Sequence, residues 1–203
     1  RQYTLQFKNL ETNEILPTKI INTSGGATWA ADNKTVFYSR NDEVTLRTDK
    51  IFKHKLSSDS ADDQLVFFEK DETFHCNVYK SKSQKYLIIE SGSTLTSEYQ
   101  TLLANDPNGK FKVFQKRTRG LEYSISHYGD SFYILTNKDK ATNFKLMKTN
   151  ENSTSKENWV DLIPHDKDVL LEKIDIFKDY LVVSERSNGL SKIKIMPWKG
   201  EAY

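Results

Sequence analysis

Short runs of β-branched and aromatic residues, separated by polar turn residues, recur along the chain. The clearest are Thr35 to Ser39, Lys50 to Leu56, Gln64 to Glu69, Tyr86 to Glu90, Glu98 to Leu103, Phe111 to Gln115, Ser131 to Thr136, Phe144 to Lys148 and Tyr180 to Ser184. This is strand chemistry, and no segment carries a convincing helical period. The most apolar run of each set follows a polar turn and begins near Val36, Tyr86, Phe132 and Tyr180, at intervals of 50, 46 and 48 residues. A fixed period of about 40 to 50 residues with four strands per unit is the signature of propeller blades.

Each of these runs is preceded by a more weakly apolar one: Ala27 to Ala31, Phe74 to Lys80, Leu121 to Tyr128 and Leu171 to Phe177. The pair predicts the inner hairpin of a blade. A third strand then alternates, as in Phe144 to Lys148 or Lys192 to Met196, and period-two alternation predicts that its lysines face solvent. Outermost strands are expected at Gln64 to Glu69, Phe111 to Gln115 and Trp159 to Ile163.

The expected fold is therefore all-β, a propeller segment of four-stranded antiparallel blades. Residues 1–20 would end one blade, 21–70, 71–116 and 117–165 would each form a blade, and 166–203 would form an incomplete one. A propeller closes with roughly four to eight blades, so about four and a quarter with ragged ends read as part of a larger ring. Arg1 in place of an initiating Met fits a chain lying inside a longer polypeptide. Uncovered blade faces and strand edges in such an arc give an expectation of weak self-association.

Thirty Lys and Arg stand against 28 Asp and Glu, a net charge of +2 with the signs interspersed, so nucleic acid is not an expected partner. No apolar run approaches the roughly 20 residues needed to span a bilayer, and no membrane partner is expected. Cys76 is the only cysteine. It excludes an internal disulfide framework and favours a cytoplasmic setting, with the periplasm as the alternative.

His54, His75, His127 and His165 lack the spacing of a metal site, and adjacent His75 and Cys76 would point to opposite faces of a strand. Cys76 reads as a small buried residue. No Gly-x-Ser-x-Gly elbow occurs, and Ser93 within Ser91-Gly92-Ser93-Thr94 lacks the second glycine. The glycines match no phosphate-binding spacing, and the acidic stretch Asp59 to Asp63 reads as a solvated turn. No catalytic residue, cofactor or metal is therefore expected. The most concentrated peptide-binding chemistry lies in Lys116 to Tyr123, where Arg117, Arg119, Glu122 and Tyr123 are candidates for substrate-channel or interdomain contacts. The alternative for this segment is a blade-to-blade connection held by ion pairs.

The strings Arg117-Thr118-Arg119-Gly120-Leu121-Glu122-Tyr123, His127-Tyr128-Gly129-Asp130 and Phe132 to Lys138 resemble the propeller of the oligopeptidase B (protease II) group in the prolyl oligopeptidase family. Glu157-Asn158-Trp159, Ile163-Pro164-His165 and Phe177 to Arg186 continue the likeness, and Trp29 to Lys34 and Val78 to Ser83 extend it upstream. The resemblance implies a seven-bladed propeller capping an α/β-hydrolase domain, which cuts short peptides after Lys or Arg with a Ser-Asp-His triad. It implies two partners, that hydrolase domain of the same polypeptide and short basic peptides as substrates. No position here matches the triad or the pocket for the basic side chain. Leu121 stands where the family often has His, a departure that weakens a functional role for its segment. The competing expectation is a free-standing propeller-like module that binds protein or glycan, without a Gly-x-Ser-x-Gly elbow in the adjoining sequence.

Overall fold

A computed structural model describes residues 2–199, which form four antiparallel sheets with the strands in chain order. The first sheet holds β1 (Tyr3–Lys8), β2 (Ile15–Trp29), β3 (Thr35–Asn41), β4 (Thr48–Lys55) and β5 (Gln64–Phe68). The second holds β6 (His75–Lys80), β7 (Tyr86–Gly92), β8 (Ser97–Leu103) and β9 (Lys112–Gln115). The third holds β10 (Tyr123–Tyr128), β11 (Ser131–Thr136), β12 (Lys145–Asn150) and β13 (Val160–Ile163), and the fourth β14 (Val169–Ile176), β15 (Tyr180–Ser187) and β16 (Leu190–Pro197).

Residues 1–20 differ from the expectation. β2 runs across the expected boundary at residue 20, pairing with β1 at its start and with β3 from Thr23 to Trp29, so both early strands join the first sheet. Shifts of register between Thr23 and Ala27 bend β2 between its two partners.

The most buried strand is the second of each four-stranded sheet and the third, β3, of the five-stranded one. Every residue of β11 is buried, as are Thr35 to Ser39 of β3 and Leu87 to Ile89 of β7. Such a strand is apolar on both faces because it is covered on both, which is why it reads as a continuous run. First strands are covered on one face only: β6 buries Cys76 and Val78 and exposes His75 and Asn77, and β10 buries Tyr123, Ile125 and His127.

The chain divides into two compact units, Arg1–Thr94 with Glu98–Val113, and Leu95–Ser97 with Phe114–Tyr203. In the first, Ala30, Phe37 and Ile51 of one sheet meet Cys76, Val78, Leu87 and Ile89 of the next in one core. Arg47 ties those two sheets together at their edge by donating to the carbonyls of Phe74 (2.7 Å), Asp71 (3.2 Å) and Glu69 (3.2 Å). In the second unit, Tyr133, Leu135 and Leu146 pack with Leu171, Ile174, Ile176, Leu181 and Val183.

Two charged positions and one apolar position depart from the expected burial. Lys145 of β12 was expected to face solvent, yet its side chain is 8% exposed, held by Asp139 and Asp161 at 3.0 Å each. Burial disfavours its charge, but the bonds to Asp161 and Asp139 outweigh this and raise its pKa. The acidic stretch 59–63 is not wholly a solvated turn either. It forms a short 3-10 turn at Ser60–Asp62, after which the buried Asp63 carboxylate accepts from Tyr38 Oη at 2.8 Å and meets His54 Nδ1 at 2.6 Å. Burial and Asp63 together push the Tyr38 phenol well above its ordinary pKa. On β16 both faces are exposed from Leu190 to Ile195, so Ile193, expected on a covered face, is 73% exposed like the lysines beside it.

Cys76 is buried, as its composition suggested, and burial followed by the nearby Asp49 and Glu69 charges pushes its thiol up to about 12. Thiolate is the reactive form, so at about pH 8 alkylation of the folded protein is expected to run at least a hundredfold slower than in the unfolded chain. Iodoacetamide labelling followed by mass spectrometry checks this. Rapid labelling without denaturant would contradict the buried placement.

Candidate functional site

The connection from β9 to β10 turns sharply at Thr118–Leu121. Leu121 N–H donates to the Thr118 carbonyl at 2.9 Å and Gly120 has φ +83°, the geometry of a turn that needs a left-handed third residue. Glycine supplies that conformation without a Cβ penalty and leaves Arg119 at the exposed corner. The turn is pinned on both sides of Gly120: its N–H donates to Thr96 Oγ1 at 3.2 Å and its carbonyl accepts from Asn137 Nδ2 at 3.0 Å.

Asn137 belongs to the loop between β11 and β12. Tyr123 and Thr136 are cross-strand partners, so the turn before β10 and the loop after β11 necessarily emerge at the same end of the sheet. This loop is strained. Asp139, Lys140 and Phe144 all have positive φ, at 59°, 63° and 60°, a region that non-glycine residues and especially bulky ones avoid. Asn143 anchors its far end, donating through Nδ2 to the Lys167 carbonyl at 2.7 Å and accepting at its own carbonyl from Leu171 N–H at 3.0 Å.

Between turn and loop lies a cavity of about 410 Å³ whose charged lining is Arg119, Lys138, Asp139, Lys140 and Lys156. Four cations face one carboxylate. Asp139 is already engaged by Lys138 at 2.8 Å and Lys145 at 3.0 Å, and these bonds hold its pKa below the ordinary carboxylate value.

The four residues expected at this segment separate by role. Arg119 lines the cavity, whereas Arg117 is half-buried and outside its lining. Glu122 is held by Asn137, which donates to Oε1 at 3.2 Å and accepts from the Glu122 N–H at 2.9 Å. Tyr123 is only 3% exposed; its hydroxyl donates to the Gln115 carbonyl at 2.8 Å and its ring lies 5.4 Å from Trp159. It is a core residue and presents no phenol to a ligand. Leu121 is buried too. Lys138, Lys140 and Lys156 were not among the candidates. Pairing the two connections at one end of a blade is the signal that would have found Lys138 and Lys140; Lys156 comes from the 3-10 turn Lys156–Asn158 before β13, which no such pairing marks. Among the described residues no group of three or more His, Cys, Asp and Glu is placed to hold a metal ion.

A Cβ at Gly120 would meet no atom within 4 Å, so the Gly120→Ala variant isolates the cost of the left-handed backbone. A loss of about 1 kcal/mol in urea unfolding is expected. No loss would mean that the turn does not require positive φ.

The comparisons with known proteins agree with one another. Dipeptidyl aminopeptidase BI of Pseudoxanthomonas mexicana is 37% identical over 202 residues, covering 100% of this chain and 28% of that protein. Protease 2 of Moraxella lacunata is 32% identical over 197 residues, covering 96% of this chain and again 28% of the relative. Oligopeptidase B from Leishmania major superposes with a TM-score of 0.91 at 29% identity, over 98% of this chain and 28% of that one. The chain thus spans little more than a quarter of the proteins it matches. Residues 1–203 match the family described as "Prolyl oligopeptidase, N-terminal beta-propeller domain", and the chain belongs to that family.

Proposed function

We propose that this chain is the non-catalytic, substrate-gating propeller of a serine oligopeptidase that cleaves short peptides after Lys or Arg. The observation that carries the reading is the superposition on oligopeptidase B across 98% of the chain, with no nucleophile elbow in the sequence. Its role is steric: the doubly covered strands β3, β7 and β11 hold their sheets, and the uncovered faces of β6 and β10 carry small or polar side chains such as Asn77 and Ser124. In this reading that face borders the passage through which a peptide reaches an attached α/β-hydrolase domain. Folded proteins are too wide to enter. Against a free-standing binding module stand the two relatives above, named an aminopeptidase and a protease, which extend well beyond the matched region.

A second reading rests on one observation. The relative at 37% identity is named a dipeptidyl aminopeptidase, which implies release of dipeptides from a free amino terminus. Fluorogenic Arg-Arg amides with blocked and free amino termini, given to the full-length protein, separate the two.

Under the first reading the blocked substrate is cleaved, a matching Ala-Ala substrate is poorer by about a hundredfold or more in kcat/KM, and casein stays intact. Cleavage of the free-amine substrate alone would favour the second reading. Cleavage of casein, or of either amide by residues 1–203 alone, would overturn the gating role.

A further inference from the structure

We propose that the cavity between the Thr118–Leu121 turn and the loop after β11 binds a small, multiply charged oxyanion, with Arg119, Lys138, Lys140 and Lys156 as its cationic contacts. The ligand class is a polycarboxylate or phosphate compound. Nothing in this inference rests on the peptidase reading.

Charge is the first argument. Across the chain 30 basic and 28 acidic residues nearly cancel, yet here the lining carries four cations and one carboxylate, and with Asp139 paired to Lys138 a surplus of three positive charges is left. Cations brought together repel one another, and a bound anion relieves that repulsion.

Size is the second. About 410 Å³ falls within the range of roughly 300 to 1,000 Å³ typical of small-molecule sites. It has room for a compound of about a dozen heavy atoms.

The backbone is the third. Lysines in a polar loop reach solvent in any ordinary conformation, but Lys138 and Lys140 flank and join two successive left-handed residues, Asp139 at φ 59° and Lys140 at φ 63°. Strain of this kind persists only where surrounding bonds enforce it, and it concentrates at ligand clamps. The enforcing bonds are visible: Asn137 to Gly120, Ala141 N–H to the Asn137 carbonyl at 3.1 Å, and Asn143 to Lys167. Arg119 belongs to the turn pinned at Gly120 and lines the same cavity. Its planar guanidinium can pair two oxygens of one carboxylate or phosphate, while the lysines act as point charges.

Isothermal titration of the full-length protein with tripolyphosphate and with citrate tests the site. Saturable binding of at least one is expected, weakened at least tenfold in R119Q/K138Q/K140Q and changed less than twofold in K110Q/K112Q/K178Q, which removes the same charge from exposed positions elsewhere. Binding of only one probe would identify the phosphate or the carboxylate class. D139N removes the lining's single carboxylate and keeps a side chain that tolerates positive φ, so it is expected to tighten binding several-fold. Absence of binding by both probes, equal weakening in the two triple variants, or no gain in D139N would each overturn the proposal.

Discussion

Everything in this chain hangs on strands that are buried on both faces. Phe37 and Tyr38 of β3, Leu87 to Ile89 of β7 and Phe132 to Ile134 of β11 are almost wholly removed from water. One face of each strand packs towards one neighbouring sheet and the other face away from it. Apolar burial is worth about 25 cal/mol per Å², so these central strands contribute far more than the solvated outer ones. Outer strands such as β13, with Val160 and Leu162 exposed, are held chiefly by backbone pairing. Loops can then vary without disturbing the sheets.

The same constraint explains what was legible in the sequence. A doubly buried strand must be a continuous apolar run, and Ser131 to Thr136 or Tyr86 to Glu90 announce themselves for that reason. Their spacing carries the blade period and so the fold class. Side-chain facing was less legible, because alternation says which residues share a face and not what covers it. Lys145 alternates like a solvent lysine but lies between Asp139 and Asp161, one from a loop and one from β13. Asp63 belongs to an acidic turn by composition and to a buried Tyr38–Asp63–His54 network by position. The joining of residues 1–20 to the first sheet depends on a bend within β2 that no local pattern marks.

The candidate site was half visible. Arg119 stood out within a concentrated run of charged residues, and so did Tyr123, since a phenol beside charges looks functional until its hydroxyl is found bonded to a backbone carbonyl in an aromatic core. The three lysines opposite Arg119 lie 19 to 37 residues away in sequence. Lys138 and Lys140 meet Arg119 because antiparallel pairing of β10 and β11 returns the chain to the same end of the sheet, and Lys156 joins them from the 3-10 turn before β13. Left-handed φ at Asp139 and Phe144 is a property of the folded loop that composition does not disclose.

On the proposed function, peptide bonds would be cut by groups outside residues 1–203. The most direct measurement is labelling of the full-length protein with a fluorophosphonate, which reacts with activated serines, followed by peptide mapping. The account predicts one modified serine lying outside residues 1–203, within a Gly-x-Ser-x-Gly sequence. Modification of a serine inside these residues, Ser93 included, would contradict it.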